Sequence, residues 1–361
     1  MNHQHEQFAE VYRVLGEAIA GHAFPGCAFG ALIGGKVVLG DALGRFTYEE
    51  DASAVTIETR YDIASVTKVA ATTTMAMLLV QRGLIDLEMP LGEVLPGFTD
   101  GRAANDPARR VTLRHLLAHN SGLPGYIEFF RTAASADTLM QACMKLSLVS
   151  EPGACAEYSD PGFILLGKAL EEVTGESLAS WAQREIFLPL GLTATSYSPP
   201  GEARSLIPPT EEDVKLRHRR IQGEVQDENA WLLGGVAGHA GIFSHVPDLL
   251  RVAQEILDAT AHQQNARLFN AATVELFARR QGPAGSSRAL GWDTPSENSS
   301  SGNFFSPHSI GHLGYSGCSL WIDLEARIAI VLLTNRSWPN RESQLIRQVR
   351  PAFHDAVRSA L

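Results

Sequence analysis

Strand patterns sit at the two ends of this chain, and helical patterns fill the space between. Residues 27–33 form a short apolar run, Gly34-Gly35 follows, and 36–39 reads Lys-Val-Val-Leu. That is two strands about a Gly-Gly turn. Near the other end, 318–323 (Cys-Ser-Leu-Trp-Ile-Asp) and 327–334 (Arg-Ile-Ala-Ile-Val-Leu-Leu-Thr) flank a short polar turn, a second hairpin. Phe8, Val11, Tyr12, Leu15 and Ile19 recur at helical spacing, so an amphipathic helix precedes the first hairpin. Helices are expected over 65–84, where the apolar content implies burial, and over 112–119, 137–149, 161–175, 177–188, 248–259, 271–280 and 341–361. The economical arrangement is an α+β fold. An antiparallel sheet built from both termini is flanked by helices, and an all-helical unit is inserted into it. The expected boundaries are 1–82 plus 285–361 for the α/β unit and 83–284 for the mainly helical insertion. Part of the insertion, about 201–284, is expected to pack back on the α/β unit. Residues 201–229 are polar and weakly periodic, so they read as a surface excursion near a cleft. Residues 282–303 are rich in Gly, Ser and Asn and read as loop.

Charge and cysteine usage narrow the function classes. Asp plus Glu number 40 against 30 Lys plus Arg, a net charge of -10. A non-specific nucleic-acid binder needs the opposite excess to displace phosphate counterions, so no nucleic-acid partner is expected. No apolar run is long enough for a membrane span. The first twenty residues carry Glu6, Glu10, Arg13 and Glu17 among apolar positions, a helix pattern and not a basic segment followed by an apolar one. The expectation is therefore a cytoplasmic protein, with a periplasmic or secreted one as the alternative if a leader has been removed. Cys27, Cys143, Cys155 and Cys318 include no Cys-x-x-Cys pair, so neither a zinc ribbon nor a thioredoxin motif fits, and no metal or cofactor is expected. Oligomeric state has no signature in the sequence.

Three segments carry chemistry. Ser65 and Lys68 are three residues apart on an expected helix, so they share a face. A serine hydroxyl needs a base beside it to become a nucleophile, and an amine desolvated by an apolar helix can accept a proton. The alternative is a capping serine with a surface lysine. Tyr158 lies in Glu157-Tyr158-Ser159-Asp160, a turn before a helix; a tyrosine beside a cation can act as a general acid or base. Asp160 before Pro161 also reads as a helix start, with Asp160 capping and Tyr158 facing the cleft. Third, Gly311-His312-Leu313-Gly314-Tyr315-Ser316-Gly317 precedes the C-terminal hairpin. Its glycines either let a backbone N–H approach a substrate carbonyl or make a tight bend at a strand start.

Other features have blander readings. His115 and His119 have metal-ligand spacing on a helix, but Leu116 stands where a zinc protease needs Glu, and core or capping histidines fit better. Gly314-Tyr315-Ser316-Gly317-Cys318 fails the Gly-x-Ser-x-Gly elbow at Cys318 and precedes a strand, not a helix. His239 is a candidate cleft residue, with an ordinary turn histidine as the equal alternative. The basic run 215–220 is a solvated face or a steering patch for an anionic substrate. Cys318 reads as a buried structural thiol.

Several ordered motifs together resemble the serine β-lactamase and penicillin-binding superfamily, in its class C-like branch with esterases and D-stereospecific peptidases. They are Ser65-Val66-Thr67-Lys68, then 112–124 (Thr-Leu-Arg-His-Leu-Leu-Ala-His-Asn-Ser-Gly-Leu-Pro), Tyr158-Ser159-Asp160 with Leu165-Leu166-Gly167, 187–192, 234–244 and His312-Leu313-Gly314. The similarity spans about 25 to 337. It implies a β-lactamase/transpeptidase-like fold and an acyl-enzyme on Ser65. Lys68 and Tyr158 would share the proton transfers, the N–H groups of Ser65 and Tyr315 would form the oxyanion hole, and Asp160, His312 and Gly314 would meet the substrate. Two departures matter. Asp160 stands where the family has Asn; it only accepts hydrogen bonds, and its charge would hold Lys68 protonated and weaken it as a base. His312 replaces the Lys of Lys-Thr-Gly, a cation that meets a substrate carboxylate, and Leu313 cannot donate a hydrogen bond. The expected function is therefore a serine hydrolase of esters or small amides with weak or no β-lactam turnover. The alternatives are a β-lactamase, a D-alanyl-D-alanine carboxypeptidase or D-aminopeptidase, or a non-catalytic protein that binds a peptidoglycan fragment or penicillin. The partner in each case is a small ester, amide or β-lactam-like molecule.

Overall fold

The two terminal hairpins meet in one sheet. In a computed structural model, which describes residues 3–261 and 266–361, the sheet strands are β1 (Gly26–Ile33), β2 (Lys36–Gly44), β3 (Ser309–Leu313), β4 (Ser319–Asp323) and β5 (Ile328–Thr334). Their order is β2-β1-β5-β4-β3, and every neighbouring pair is antiparallel. The junction is β1 with β5, in register from Cys27 opposite Thr334 to Ile33 opposite Ile328. This is the α+β architecture expected, an antiparallel sheet closed by the chain's return.

The apolar runs at 27–33 and 328–333 are continuous because both faces of the sheet centre are buried. Side chains alternate across a strand. Cys27, Phe29 and Ala31 of β1, Trp321 of β4 and Ile328, Ile330 and Leu332 of β5 face one core. That core is completed by helix α1 (Ala9–Ala20), through Val11 and Leu15, and by the last helix (Ile346–Ala360), through Ile346, Phe353 and Val357. Ala28, Leu32, Leu320, Ile322, Ala329, Val331 and Leu333 face the larger core. Removing each large aliphatic side chain from water there contributes roughly 1.5–3 kcal/mol, so the sheet centre is a main anchor of the fold.

The larger core is shared by α2 (Thr74–Gln81), α3 (Asp160–Thr174) and α4 (Val246–Thr260), of which α4 packs on β1, β4 and β5; along the chain they are followed by α5, the Ile346–Ala360 helix. A three-stranded sheet orders Tyr61–Asp62, Ile242–Ser244 and Ser196–Tyr197 with the 242–244 strand central. The expected helix over 177–188 is present as Leu178–Ala182 followed by a wider turn, Gln183–Phe187. The 201–229 excursion is not featureless: it folds a small hairpin, Glu211–Asp213 with Arg219–Ile221. No described helix is long and apolar enough to cross a membrane.

Candidate active site

Ser65 is set in place by the residue pair before it. Asp62 ends a strand, is buried, and accepts hydrogen bonds from the N–H of Ala64 at 2.8 Å and of Gln226 at 2.7 Å. Burial pushes its pKa up to about 6 despite those bonds. The bond to Ala64 holds that residue at φ 47°, a left-handed conformation costly to a residue with a Cβ. The chain then winds tightly through Ala64–Val66, widely through Lys68–Thr73, and only regularly from Thr74 in α2. The single regular helix expected over 65–84 is thus three windings. The spacing argument survives, because Ser65 and Lys68 still share a face: Lys68 Nζ donates to Ser65 Oγ at 3.1 Å.

Lys68 is fully buried and its three ammonium hydrogens have three acceptors. These are Ser65 Oγ, Asp160 Oδ1 at 2.7 Å and the His239 carbonyl at 3.1 Å. Burial pulls the lysine pKa down, but the Asp160 charge, joined by Tyr158, outweighs it and the pKa lies above the ordinary lysine value. Lys68 is an ammonium at neutral pH.

Asp160 is free for this pairing because it does not cap its helix. Ser159 is the cap of α3; its hydroxyl accepts from the Gly162 N–H at 3.0 Å and donates to the Pro124 carbonyl at 2.7 Å. The expectation that Asp160 caps is corrected: a residue in the first helical turn points its carboxylate away from the axis, here at Lys68. Tyr158 precedes the cap. Its ring lies under Lys68 Nζ, 4.8 Å from the centroid, and under the Arg288 guanidinium at 5.3 Å. Burial raises the phenol's pKa above the ordinary value, the Lys68 charge opposing and Asp160 reinforcing it. On its other flank stands His119, with rings 4.7 Å apart, and His119 Nδ1 accepts the Ser159 N–H at 3.0 Å.

Strand β3 forms the facing wall. His312 is 3% exposed, its ring 6.0 Å from that of Tyr158. Burial, with Lys68 and Arg288 nearby, holds its pKa well below the ordinary histidine value, so it supplies no cation. Gly314 has a reason different from the one its sequence suggested. A Cβ there would sit 2.4 Å from the Ile63 carbonyl oxygen, so the strand end presses against the backbone that carries Ser65. The turn bearing Tyr315 is tied from three sides. Ser316 Oγ donates to the Asp62 carbonyl at 2.7 Å, Arg336 Nε to the Tyr315 carbonyl at 2.6 Å, and Arg350 of α5 to the carbonyls of Gly314, Gly317 and Cys318.

Ser65, Tyr158, Asp160, His312, Gly314 and Tyr315 line one cleft of about 690 Å³, with Lys68 buried behind Ser65 and Asp160. His239 does not line it. The imidazole is 1% exposed and bonded to Asp227 at 2.9 Å, and only its carbonyl serves the site, through Lys68. That carbonyl is brought in by a close backbone approach: a Cβ on Gly238 would lie 2.1 Å from the Phe163 carbonyl oxygen of α3. The 215–220 run is not a simple solvated face. Arg217 is buried, donates to Asp213 and to the carbonyls of Val225 and Gln226, and so fixes the stretch that puts Gln226 and Asp227 in the cleft. His115 folds back on its own helix start, with Nδ1 accepting the Thr112 N–H at 3.1 Å. Among the described residues no cluster could hold a metal ion. Arg288 and Asp227 escaped the sequence reading as site residues, since each lies in a loop or turn whose spacing carries no signal; His119, read there as a core or capping histidine, is buried and packs against Tyr158.

The arrangement can support nucleophilic acyl chemistry: a hydroxyl on a strained turn, a cation and a phenol beside it, and a backbone turn across the cleft. Comparisons with known proteins give the family and the fold. The Beta-lactamase family model matches residues 11–351. A putative D-alanyl-D-alanine carboxypeptidase of Salmonella typhi is 31% identical over 307 residues, covering 78% of this chain and 70% of its own. Among solved structures, EstCE1, a hydrolase with promiscuous acyltransferase activity, superposes with a TM-score of 0.76 at 21% identity, over 97% of this chain and 99% of its own. A class C beta lactamase from Rhodobacter sphaeroides gives 0.72 at 20% identity, over 97% and 99%.

Proposed function

The chain belongs to the beta-lactamase family, and on that premise we propose that it is a serine hydrolase of carboxylic esters or small amides, with weak or no β-lactam turnover. Ser65 Oγ attacks the substrate carbonyl carbon, and the N–H groups of Ser65 and Tyr315 stabilise the oxyanion that forms. The ester C–O bond breaks and the leaving alkoxide takes a proton relayed from the Ser65 hydroxyl through Tyr158 and Lys68. Water then attacks the Ser65 ester, the same groups moving its proton back, and the carboxylic acid departs. The single observation that carries this reading is Lys68 Nζ lying 3.1 Å from Ser65 Oγ in a fully buried, charge-balanced position.

Esters are favoured over β-lactams because the cleft wall at 312 is uncharged and Asp160 offers no amide N–H to a substrate carbonyl. The second reading is D-alanyl-D-alanine carboxypeptidase activity, favoured by the relatives that are 31% identical and carry that description. The test is a panel of short-chain nitrophenyl esters, a chromogenic cephalosporin and a peptide ending in D-Ala-D-Ala, with mass spectrometry after a fluorophosphonate. Adduct formation and ester turnover that both vanish in Ser65→Ala support the proposal. Equal turnover by wild type and Ser65→Ala on every substrate refutes it, and peptide turnover without ester turnover selects the second reading.

A further inference from the structure

One acceptor on the cleft wall is buried and unanswered. His312 Nδ1 lies 2.8 Å from the carbonyl oxygen of Leu313. A carbonyl only accepts, so Nδ1 carries the ring hydrogen and Nε2 is left with its lone pair. Nε2 is buried and has no hydrogen-bond partner among the described residues. Burial and the two cations nearby, Lys68 and Arg288, keep the ring from taking a second proton. His119 does not answer the lone pair. Its Nδ1 accepts from Ser159, so its Nε2 bears the hydrogen, and that nitrogen is also without a partner. The Arg288 guanidinium is turned to the Tyr158 ring and to Asp293, 3.7 Å away.

An unanswered acceptor on a residue that lines the cleft is a recognition element, because a ligand that brings a hydrogen to it relieves the cost of leaving a buried polar atom unpaired. We infer that His312 sets specificity: its Nε2 accepts a hydrogen bond from an O–H or N–H on the acyl group beside the scissile carbonyl, and it disfavours acyl groups that present a carboxylate there. The inference rests on the ester-hydrolase reading of the same cleft. A carboxylate would place a second set of lone pairs against Nε2 with no hydrogen between them, whereas a hydroxyl supplies the hydrogen.

The experiment compares nitrophenyl esters of butyrate, 3-hydroxybutyrate and succinate (the mono-ester) on wild type, His312→Leu and His312→Lys. Wild type is expected to favour the hydroxy ester over the plain one by about fivefold to tenfold in kcat/KM, the worth of one good hydrogen bond, and to use the succinate mono-ester least. His312→Leu is expected to bring the hydroxy-to-plain ratio near one, and His312→Lys to raise succinate relative to butyrate by about tenfold. Wild type decides the matter if neither variant folds: a preference for the succinate ester, or no preference for the hydroxy ester, overturns the inference. So does an unchanged hydroxy-to-plain ratio in a folded His312→Leu. Absence of Ser65-dependent turnover for all three esters removes the hydrolase reading and this inference with it, an outcome distinct from turnover with a flat or inverted ratio.

Discussion

Lys68 and Asp160 form an ion pair of 2.7 Å in which the amine is fully buried and the carboxylate is partly open to the cleft. The pair alters the proton inventory of the cleft. With Asp160 ionised, Lys68 keeps its third hydrogen, and with Lys68 charged, Tyr158 remains a phenol because burial and Asp160 both raise it. The resting site therefore holds an ammonium and a phenol, neither of which can take the Ser65 proton until one is deprotonated.

The pH profile follows from that state. Lys68 and Tyr158 both titrate above their ordinary values, so the competent, deprotonated form grows as pH rises, and ester hydrolysis should climb through the alkaline range without a plateau at neutrality. Asp160→Asn removes the charge that raises both groups, so the limb should move to lower pH. Each unit of movement multiplies the rate below the limb by about ten. The restored amide should also speed β-lactam acylation. Profiles of kcat/KM for the two proteins decide it; superimposable curves would mean that Asp160 does not govern the protonation of Lys68.

The Tyr158 hydroxyl can be separated from its ring. The ring packs against His119 and lies under Lys68 and Arg288, contacts that phenylalanine keeps. Tyr158→Phe should lower kcat by about 10²–10⁴, the usual worth of a general acid–base group, while the thermal midpoint stays within a few degrees. A loss of stability as large as the loss of rate would instead make Tyr158 a packing residue.

What could be read from the sequence depended on how local the cause was. Ser65 and Lys68 were legible because three residues of any right-handed winding, tight or wide, leave them on one face. β1 and β5 were legible because a strand buried on both sides has no polar alternation, and the Gly34-Gly35 turn marked where the first hairpin reverses, though not the shift in pairing between Ala31 and Leu32. Ser159 was not legible as the cap of α3: Asp160 before Pro161 scores equally well, and the decision is made by the Pro124 carbonyl and by Lys68, 35 and 92 residues away. Arg288 and Asp227 enter the cleft from loops, and nothing in Gly/Ser-rich or mixed-charge segments says which side chain turns inward. The polarity of His312 depends on a bond to its own neighbour's carbonyl, which only coordinates reveal.

Gly314 offers a test of how closely β3 must approach the Ser65 backbone. A methyl group would lie 2.4 Å from the Ile63 carbonyl oxygen and 3.3 Å from Cys318 Cβ. The carbonyl belongs to the main chain and cannot rotate away, so Gly314→Ala should push the Tyr315 turn outward. Misplacing an oxyanion donor costs about 10²–10³ in kcat, and overpacking costs about 1–3 kcal/mol of stability. Urea unfolding together with steady-state kinetics on a nitrophenyl ester checks both. Wild-type kcat in Gly314→Ala would show that the strand end has slack and that its glycine is not there for close approach.

Arg350 extends the same argument to the last helix. It is buried in α5, burial lowers its pKa to about 10, and its guanidinium donates to the carbonyls of Gly314, Gly317 and Cys318. Those carbonyls bracket Tyr315, so the helix that closes the chain also sets the turn facing Ser65. Arg350→Met keeps most of the apolar stem but removes a donor from each carbonyl; those of Gly314 and Cys318 keep the N–H of Gly317 and of Gly314, and that of Gly317 loses the guanidinium. One unsatisfied buried group costs about 1–3 kcal/mol, so a net loss of about 2 kcal/mol is expected in urea unfolding. The loss in kcat should exceed any change in KM, since in the proposed mechanism the turn acts on the oxyanion and not on the bound ester. Arg350→Lys, which can reach one or two of the three carbonyls, should recover part of both. If Arg350→Met loses stability but keeps wild-type kcat, then α5 buttresses the sheet without positioning the Tyr315 turn.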